Sequence, residues 1–484
     1  MPSDVDVLII GAGFGGIGMG ISLLNSDSTS FVIIEQGPDV GGTWRDNTYP
    51  GSACDTESHL YCFSFSPNRS VSRVYARQPE LLAYIRRLVD EYDLRKFLQF
   101  NTSVDKLVWD APAKSWLVHL NNSEVIRARN VVAGWGQLNR PSMPAIPGRE
   151  DFAGVAFHSA RWRHDISLAG KRVASIGNAA SAIQYIPEIA PLVSHFEVYQ
   201  RSPNWIVPRL DRPYTDDEMR VFSEIPGQFE RSRKGIFDFR ESVFQRMMAG
   251  TASAKELEEV AKAHLRSQVS DVELQQKLTP DYPIGCKRIL RSDDYYPALV
   301  RDNVELVTER IERITSEGIV TSDGRLHPLD VIIYGTGFET RSFQGPVEIL
   351  GEEGLSLREF WAGEPTAYLG ICVPKFPNFF MLYGPNTNLG HNSILQMLEA
   401  QFNYVLQALA FQRKSNVGAT SIREDVFEAY DRKVQAEIQK SAWAGNCNSW
   451  YKTETGRVVN NWSGTVRDYQ AVTSQLEPAE FETR

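Results

Sequence analysis

The run Gly11-Ala-Gly13-Phe-Gly-Gly16 constrains the fold of this chain more than any other stretch. It follows a short, mostly apolar string, Val5-Asp-Val-Leu-Ile-Ile10, which reads as a buried strand. A helical pattern continues through Ile17, Met19, Ile21 and Leu24, and a second apolar strand, Phe31-Val-Ile-Ile34, ends on Glu35. Gly11 and Gly13 permit a tight turn and close approach of backbone to a pyrophosphate, which then sits on the positive end of the helix. Gly16 completes the fingerprint, and Glu35 is placed to accept hydrogen bonds from a ribose diol. Glycines alone are weak evidence. Strand, glycines, helix, strand and acid in this order predict a dinucleotide-binding βαβ unit.

With 484 residues the chain is too long for one core, so two or three domains are expected. Its 42% hydrophobic and 23% charged residues are those of a globular protein, and a net charge of −9 argues against nucleic-acid or anionic-membrane partners. No apolar run is long enough to span a bilayer. Met1-Pro-Ser-Asp leads straight into the first strand without a basic segment and apolar core, so a cytoplasmic protein without a signal peptide is expected. The five cysteines, Cys54, Cys62, Cys286, Cys372 and Cys447, are scattered and contain no C-x-x-C pair. They read as reduced thiols, with neither a disulfide framework nor a metal site.

After the first unit, Gly41-Gly42-Thr43-Trp44 and Tyr49-Pro50-Gly51-Ser-Ala-Cys-Asp55 mark irregular backbone folded over a ligand. Asp55 reads equally as a turn-capping acid. An amphipathic helix is expected over 81–92, and the alternation between 107 and 120 predicts a small antiparallel sheet layered on the first domain. A second βαβ unit begins at Arg172 with the loop Gly177-Asn-Ala179-Ala-Ser181-Ala. Ala179 replaces the middle glycine, so backbone approach to phosphates should be less close there. The next strand ends on Gln200-Arg201 instead of an acid. Arg201 can grip a 2′-phosphate bidentately, which points to NADPH, or it is a solvated strand end. Between Tyr214 and Pro280 the chain turns helical, with capping-box patterns at Thr215/Glu218, Ser253/Glu256 and Ser270/Glu273. Its aromatic stripe is either core or the wall of a substrate pocket.

The connection between the two units carries Phe152-x-Gly154-x-x-x-His158-x-x-x-Trp162. Read alone, His158 is a hydrogen-bonded linker histidine. The spacing resembles the signature of Baeyer–Villiger monooxygenases, flavoenzymes that insert oxygen next to a ketone. Arg163 stands where that family usually has Pro or Asp. The resemblance spans nearly the whole chain and implies an α/β protein with two Rossmann-like domains, for FAD and NADPH, and a helical insertion. The implied divisions are 1–143 and 338–484 for the FAD domain, 144–170 for the linker, 171–213 and 281–337 for the NADPH domain, and 214–280 for the insert.

The resemblance also implies roles. Gly42, Thr43, Trp44, Asp55, Tyr61 and Asn386 join Gly11, Gly13, Gly16 and Glu35 around FAD, while Gly177, Ser181, Arg201 and Lys287 hold NADPH. Arg288, oriented by Asp55, would stabilise a C4a-peroxyflavin that attacks a ketone to give an ester or lactone. A Lys-Arg pair is otherwise an ordinary solvated face. The remaining segment, Cys447-Asn-Ser-Trp450-Tyr451, resembles the C-terminal part of family members acting on aryl and other ketones, and 477 onward reads as a frayed polar tail. The partners implied are a small ketone and O2, with the chain a monomer or weak homodimer. Three rivals stand beside this reading: a flavin-dependent N- or S-oxygenase, a flavin disulfide reductase and an uncoupled flavoprotein. The second needs two thiols a few residues apart, which Cys54 and Cys62 are not.

Overall fold

A computed structural model describes residues 3–26 and 30–484. Met1 and Pro2, on which the reading of the N-terminus partly rests, lie outside the described residues.

Val7, Leu8 and Ile9 are completely buried in the strand Asp4–Ile10, where β-branched side chains suit the pleat. That strand pairs in parallel with Phe31–Ile34 on one edge and with Val125–Ala133 on the other. The helix Phe14–Leu24 crosses between the first two strands, as the glycine fingerprint predicts. Val125–Ala133 is long enough to divide its far edge. Residues 125–128 pair antiparallel with Ser115–Leu120, and residues 131–133 pair in parallel with Phe379–Met381, which brings late chain back beside the first unit. The expected small antiparallel layer is therefore not a separate layer. Val104–Asp110 and Ser115–Leu120 extend the same sheet, which has eight strands among the described residues.

A second sheet runs in the order Val304–Val307, His195–Tyr199, Arg172–Ile176, Val331–Tyr334, Val155–His158, parallel throughout. Its last strand belongs to the stretch read as a bare connection. The exposed edge of Val331–Tyr334 offers a row of backbone donors and acceptors, and residues 155–158 satisfy it.

The insert comprises the helices Asp216–Glu224, Gln228–Ser242, Ala252–Gln268 and Val272–Leu278. Thr215 and Glu218 form the expected capping box. The other two boxes are not formed: Thr251 caps one helix by accepting from the Ala254 N–H, and Asp271 caps the other, its charged oxygen being a stronger acceptor than the neighbouring Ser270 hydroxyl. The helix expected over 81–92 begins earlier, at Gln78–Glu91, with Pro79 in its first turn. The expected frayed tail is also corrected, since Phe481–Thr483 pairs antiparallel with Thr420–Ile422 and Glu480 accepts from the Tyr368 hydroxyl at 2.7 Å. No helix among the described residues is long and apolar enough to cross a membrane.

The insert docks on the first unit through His59, which is fully buried, stacked on Tyr214 and hydrogen-bonded through Nδ1 to Ser232 Oγ at 2.9 Å. Burial, and then the Arg233 charge, push its pKa down from 6.5 to about 4. Between those values the unfolded chain binds a proton that the folded chain refuses, so stability falls as pH drops through the window. The shift corresponds to about 3 kcal/mol at its lower end. Thermal scans should therefore show the wild-type melting temperature falling more steeply than that of His59→Gln from pH 6.5 to 4. Parallel curves would remove His59 from the account.

Candidate active site

The carboxyl ends of both sheets open into one cavity of about 1890 Å³, lined by the terminal strand residues Ile10, Ile34, Ile176 and Tyr199. Ligands of open α/β sheets bind at this end. Of the residues expected to bind cofactor, Gly11, Gly13, Glu35, Gly42, Thr43, Trp44, Asp55, Tyr61, Gly177, Ser181, Arg201 and Lys287 all line it, as does Arg288.

The first cradle fits a dinucleotide. Gly11 has φ +96°, and a Cβ there would meet the Gly134 carbonyl oxygen at 2.8 Å. The helix that follows starts on Gly13 with no side-chain cap, which leaves its first amides facing the cavity for an anion. A Cβ on Gly13 would find only Gly42 Cα, at 3.8 Å, so the space in front of that helix end is open. Glu35 is 4% exposed and is fixed by the Ala12 N–H (2.8 Å), the Gly37 N–H (2.7 Å) and Arg45 Nη1 (2.8 Å). Trp44 Nε1 donates to the Tyr61 hydroxyl at 3.2 Å.

The second cradle repeats the pattern. Gly177 has φ +110° and lies so close to the Gly335 carbonyl that no side chain fits, so the tight turn survives although Ala179 replaces the second glycine. The helix Ala182–Ile189 starts after Ser181, again without a side-chain cap. Lys287 Nζ donates to Ser202 Oγ at 2.8 Å and lies 4.3 Å from the centre of the Tyr282 ring. Burial first, and then the neighbouring Arg201, lower its pKa. Lys287 and Arg201 thus bring two basic side chains together beside the second cradle.

Between the cradles, Arg288 donates to Asp55 Oδ2 from Nη2 at 2.5 Å and from Nε at 3.1 Å. Burial alone would raise the Asp55 pKa. The Arg288 charge and hydrogen bonds outweigh it and hold the acid at about 2, while Asp55 in turn raises Arg288. The pair is thus charged at neutral pH.

Several residues that no motif marked complete this centre. Arg240, from the insert helix Gln228–Ser242, donates to Glu57 Oε2 at 2.6 Å and to the Asp55 carbonyl at 3.3 Å. Arg291 also borders the cavity, and burial and then Arg240 lower its pKa. Three guanidiniums face two carboxylates here, so the net field on the cavity is positive. Gln184, on the second unit's helix, bonds both backbone groups of Ala53 (3.0 and 3.3 Å) and clamps the Asp55 loop against the second module. Arg246 and Met247 of the insert line the cavity while Phe229 is buried in core, so the insert serves both as packing and as pocket wall. These residues were invisible to motif reading because each lies far along the chain from the group it touches.

Other expected site residues fall outside the cavity. Gly16 lies behind the cradle, against Gly11 and Ile9. Asn386, expected beside FAD, donates its side-chain amide to the carbonyls of Val458 and Asn461, both at 3.0 Å. A long-range tether of this kind leaves no sequence signal. In the linker, Phe152 packs beneath the second sheet and Gly154 passes so close to the Asp330 carbonyl that a Cβ would meet it at 2.6 Å. His158 Nδ1 accepts from the Ala160 N–H at 3.1 Å, and burial lowers its pKa. Trp162 lies edge-on to Phe157 and tilted on Tyr185, whose ring meets Tyr49 of the first unit. Arg163 forms an exposed ion pair with Asp165 at 2.6 Å.

The expectation of five reduced thiols is also corrected, because Cys286 and Cys447 form a disulfide across 161 residues. Neither lines the cavity, so the pair is not a dithiol presented to a flavin.

The family model of pyridine nucleotide-disulphide oxidoreductases matches residues 8–223. A Baeyer-Villiger monooxygenase of Pseudomonas aeruginosa is 41% identical over 98% of this chain and 90% of its own length. Another, from Streptomyces coelicolor, is 38% identical over 99% and 92%. Among solved structures, a closed cyclohexanone monooxygenase covers 99% of both chains at 29% identity with a TM-score of 0.90. An oxidised steroid monooxygenase bound to NADP covers 99% of both at 30% identity with a TM-score of 0.88. Matched along nearly its full length by such relatives, and with two phosphate cradles opening on one cavity, the chain belongs to the Baeyer–Villiger monooxygenases, FAD- and NADPH-dependent flavoenzymes.

Proposed function

We propose that this enzyme converts small ketones to esters or lactones with NADPH and O2. The observation that carries the reading is the Arg288–Asp55 pair, held between the two cradles and facing the shared cavity with an excess of positive charge. Bound FAD, once reduced by NADPH, supplies the electrons and the activated oxygen. The residues of the chain bind, orient and stabilise. The open helix end after Gly13, with Glu35, holds one dinucleotide. Arg201 and Lys287 hold the 2′-phosphate of the other. Arg288 presents a fixed cation to the negative charge that develops on oxygen when a ketone carbonyl is attacked, and Asp55 fixes the plane of its guanidinium. Phe379–Met381, paired with Val125–Ala133, supports a FAD domain assembled from 1–143 and 338–484 around the NADPH domain and insert. The proposal extends to a cytoplasmic monomer or weak homodimer.

Incubation with NADPH, O2 and a mixed panel of ketones and sulfides, followed by mass spectrometry, tests the reading. Esters or lactones one oxygen heavier than the ketones support it. Sulfoxides alone would make the enzyme a heteroatom oxygenase, and NADPH consumption without product would make it an uncoupled flavoprotein.

Arg201→Ala should raise the apparent Michaelis constant for NADPH while leaving that for NADH nearly unchanged. A charge-assisted hydrogen bond is worth about 1.5–3 kcal/mol, equivalent to roughly ten- to a hundredfold. Equal effects on both cofactors would take Arg201 out of the role.

A further inference from the structure

Cys286 and Cys447 are placed where a covalent bond between them acts on the cavity. Cys286 is fully buried and directly precedes Lys287 and Arg288. Cys447 is half-buried and directly precedes Asn448, Ser449 and Trp450, which form part of the cavity wall. Ser449 and Trp450 are held from the C-terminal side, the Lys452 N–H donating to the Ser449 carbonyl at 3.2 Å and Asn460 Nδ2 to the Trp450 carbonyl at 3.1 Å, whereas the stretch leading to them is not. Apart from the Cys447 N–H, which donates to the Gly445 carbonyl at 2.9 Å, no hydrogen bond ties 446–448 to the rest of the described residues. The neighbouring carbonyl of Gly445 accepts from Lys452 Nζ and lies 3.4 Å from the disulfide-bonded Cys286 sulfur, so the segment approaches the Cys286 loop beyond the covalent link itself.

We infer that Cys286 and Cys447 are a reversible oxidation site, whose disulfide latches the wall 448–450 onto the loop carrying Lys287 and Arg288. In proteins of a reducing compartment, disulfides of this kind are transient and redox-sensing. The oxidant is hydrogen peroxide. The accessible Cys447 thiolate attacks one peroxide oxygen, the O–O bond breaks, and the hydroxide released takes up a proton to leave as water. The Cys286 thiolate then attacks the resulting sulfenic sulfur, the S–S bond forms and a second water leaves, so that two sulfurs supply the two electrons peroxide accepts. A dithiol reverses the step by thiol–disulfide exchange. The other cysteines are unsuited to this chemistry, since burial pushes the Cys54 thiol up to about 12 and raises those of Cys62 and Cys372. Reduction frees 446–448, and the cavity then admits water more readily and wastes more NADPH as peroxide.

The test uses the FAD-loaded full chain after dilute peroxide or after dithiothreitol, each quenched with an alkylating agent. Peptide mapping should find Cys286 joined to Cys447 in the oxidised sample, with Cys54, Cys62 and Cys372 alkylated. Reduction should speed limited proteolysis between 445 and 448 by about tenfold or more and lower the fraction of NADPH converted to product. Cys447→Ser should behave as the reduced protein in both conditions, whereas Cys54→Ser should keep the response to dithiothreitol. Mapping and proteolysis do not depend on ketone oxidation, so they stand or fall apart from the proposed reaction. Absence of the cross-linked peptide after peroxide would overturn the proposal. So would a cross-link whose reduction changes neither proteolysis nor coupling, because the sulfur pair would then be an inert brace.

Discussion

Arg288→Ala is expected to retain FAD and NADPH yet form ester from a ketone about a hundred- to a thousandfold more slowly, the usual cost of removing one donor from a charge-stabilising site. The side chain touches Asp55 and borders the cavity, but neither phosphate cradle rests on it. Its removal leaves Asp55 in surroundings where burial is the largest influence on the acid, so the carboxyl rises from about 2 and a buried negative charge replaces a neutralised pair. Arg288→Lys keeps the charge but loses the planar fork that bonds Asp55 through both Nε and Nη2, and it should fail to restore the rate. Stopped-flow mixing with O2 followed by product quantification separates these outcomes. Ester formation at the wild-type rate in Arg288→Ala would make this arginine a structural cation. Because Asp55 titrates near 2, no step in activity between neutral pH and pH 5 should trace to this pair. Its contribution to stability is complete above about 4 and is lost only as pH falls towards 2.

Gly16→Ala is expected to yield colourless protein. The added Cβ would fall on the Gly11 carbonyl oxygen and also press on Ile9 Cγ2 at 3.3 Å. The first of these is backbone and cannot rotate away. The helix Phe14–Leu24 must then back off the strand Asp4–Ile10, opening the turn that shapes the cradle. Overpacking of a core costs about 1–3 kcal/mol, and against backbone the upper end applies, equivalent to roughly a hundredfold loss of FAD affinity together with a lower melting temperature. Gly13→Ala provides the contrast. Its Cβ meets only Gly42 Cα at 3.8 Å, so the apoprotein should keep its stability while FAD binding falls, because the methyl group fills the space in front of the helix end. The ratio of flavin absorbance to protein after gel filtration, with melting curves of the apoproteins, distinguishes the two. If Gly16→Ala binds FAD normally, close helix–strand packing is not what the third glycine secures.

What the sequence determined by itself is local. The order of strand, glycine turn, helix and strand identified both nucleotide units, because a tight turn and an open helix end depend on neighbouring residues, and a missing Cβ can be read directly from the chain. The absence of an acid at Arg201 and the basic pair Lys287-Arg288 were legible for the same reason, as was Asp55 once a family pattern supplied its partner. What only the tertiary structure decided are pairings between residues far apart in the chain. Arg240 reaches Glu57 across 183 residues, Gln184 clamps Ala53, and Asn386 holds Val458 and Asn461. Residues 155–158, which read as connection, complete an edge whose unpaired backbone groups exist only once Val331–Tyr334 is in place. Cys286 and Cys447 gave no sign of one another, since a disulfide requires two sulfurs to meet in space and spacing along the chain carries no such information.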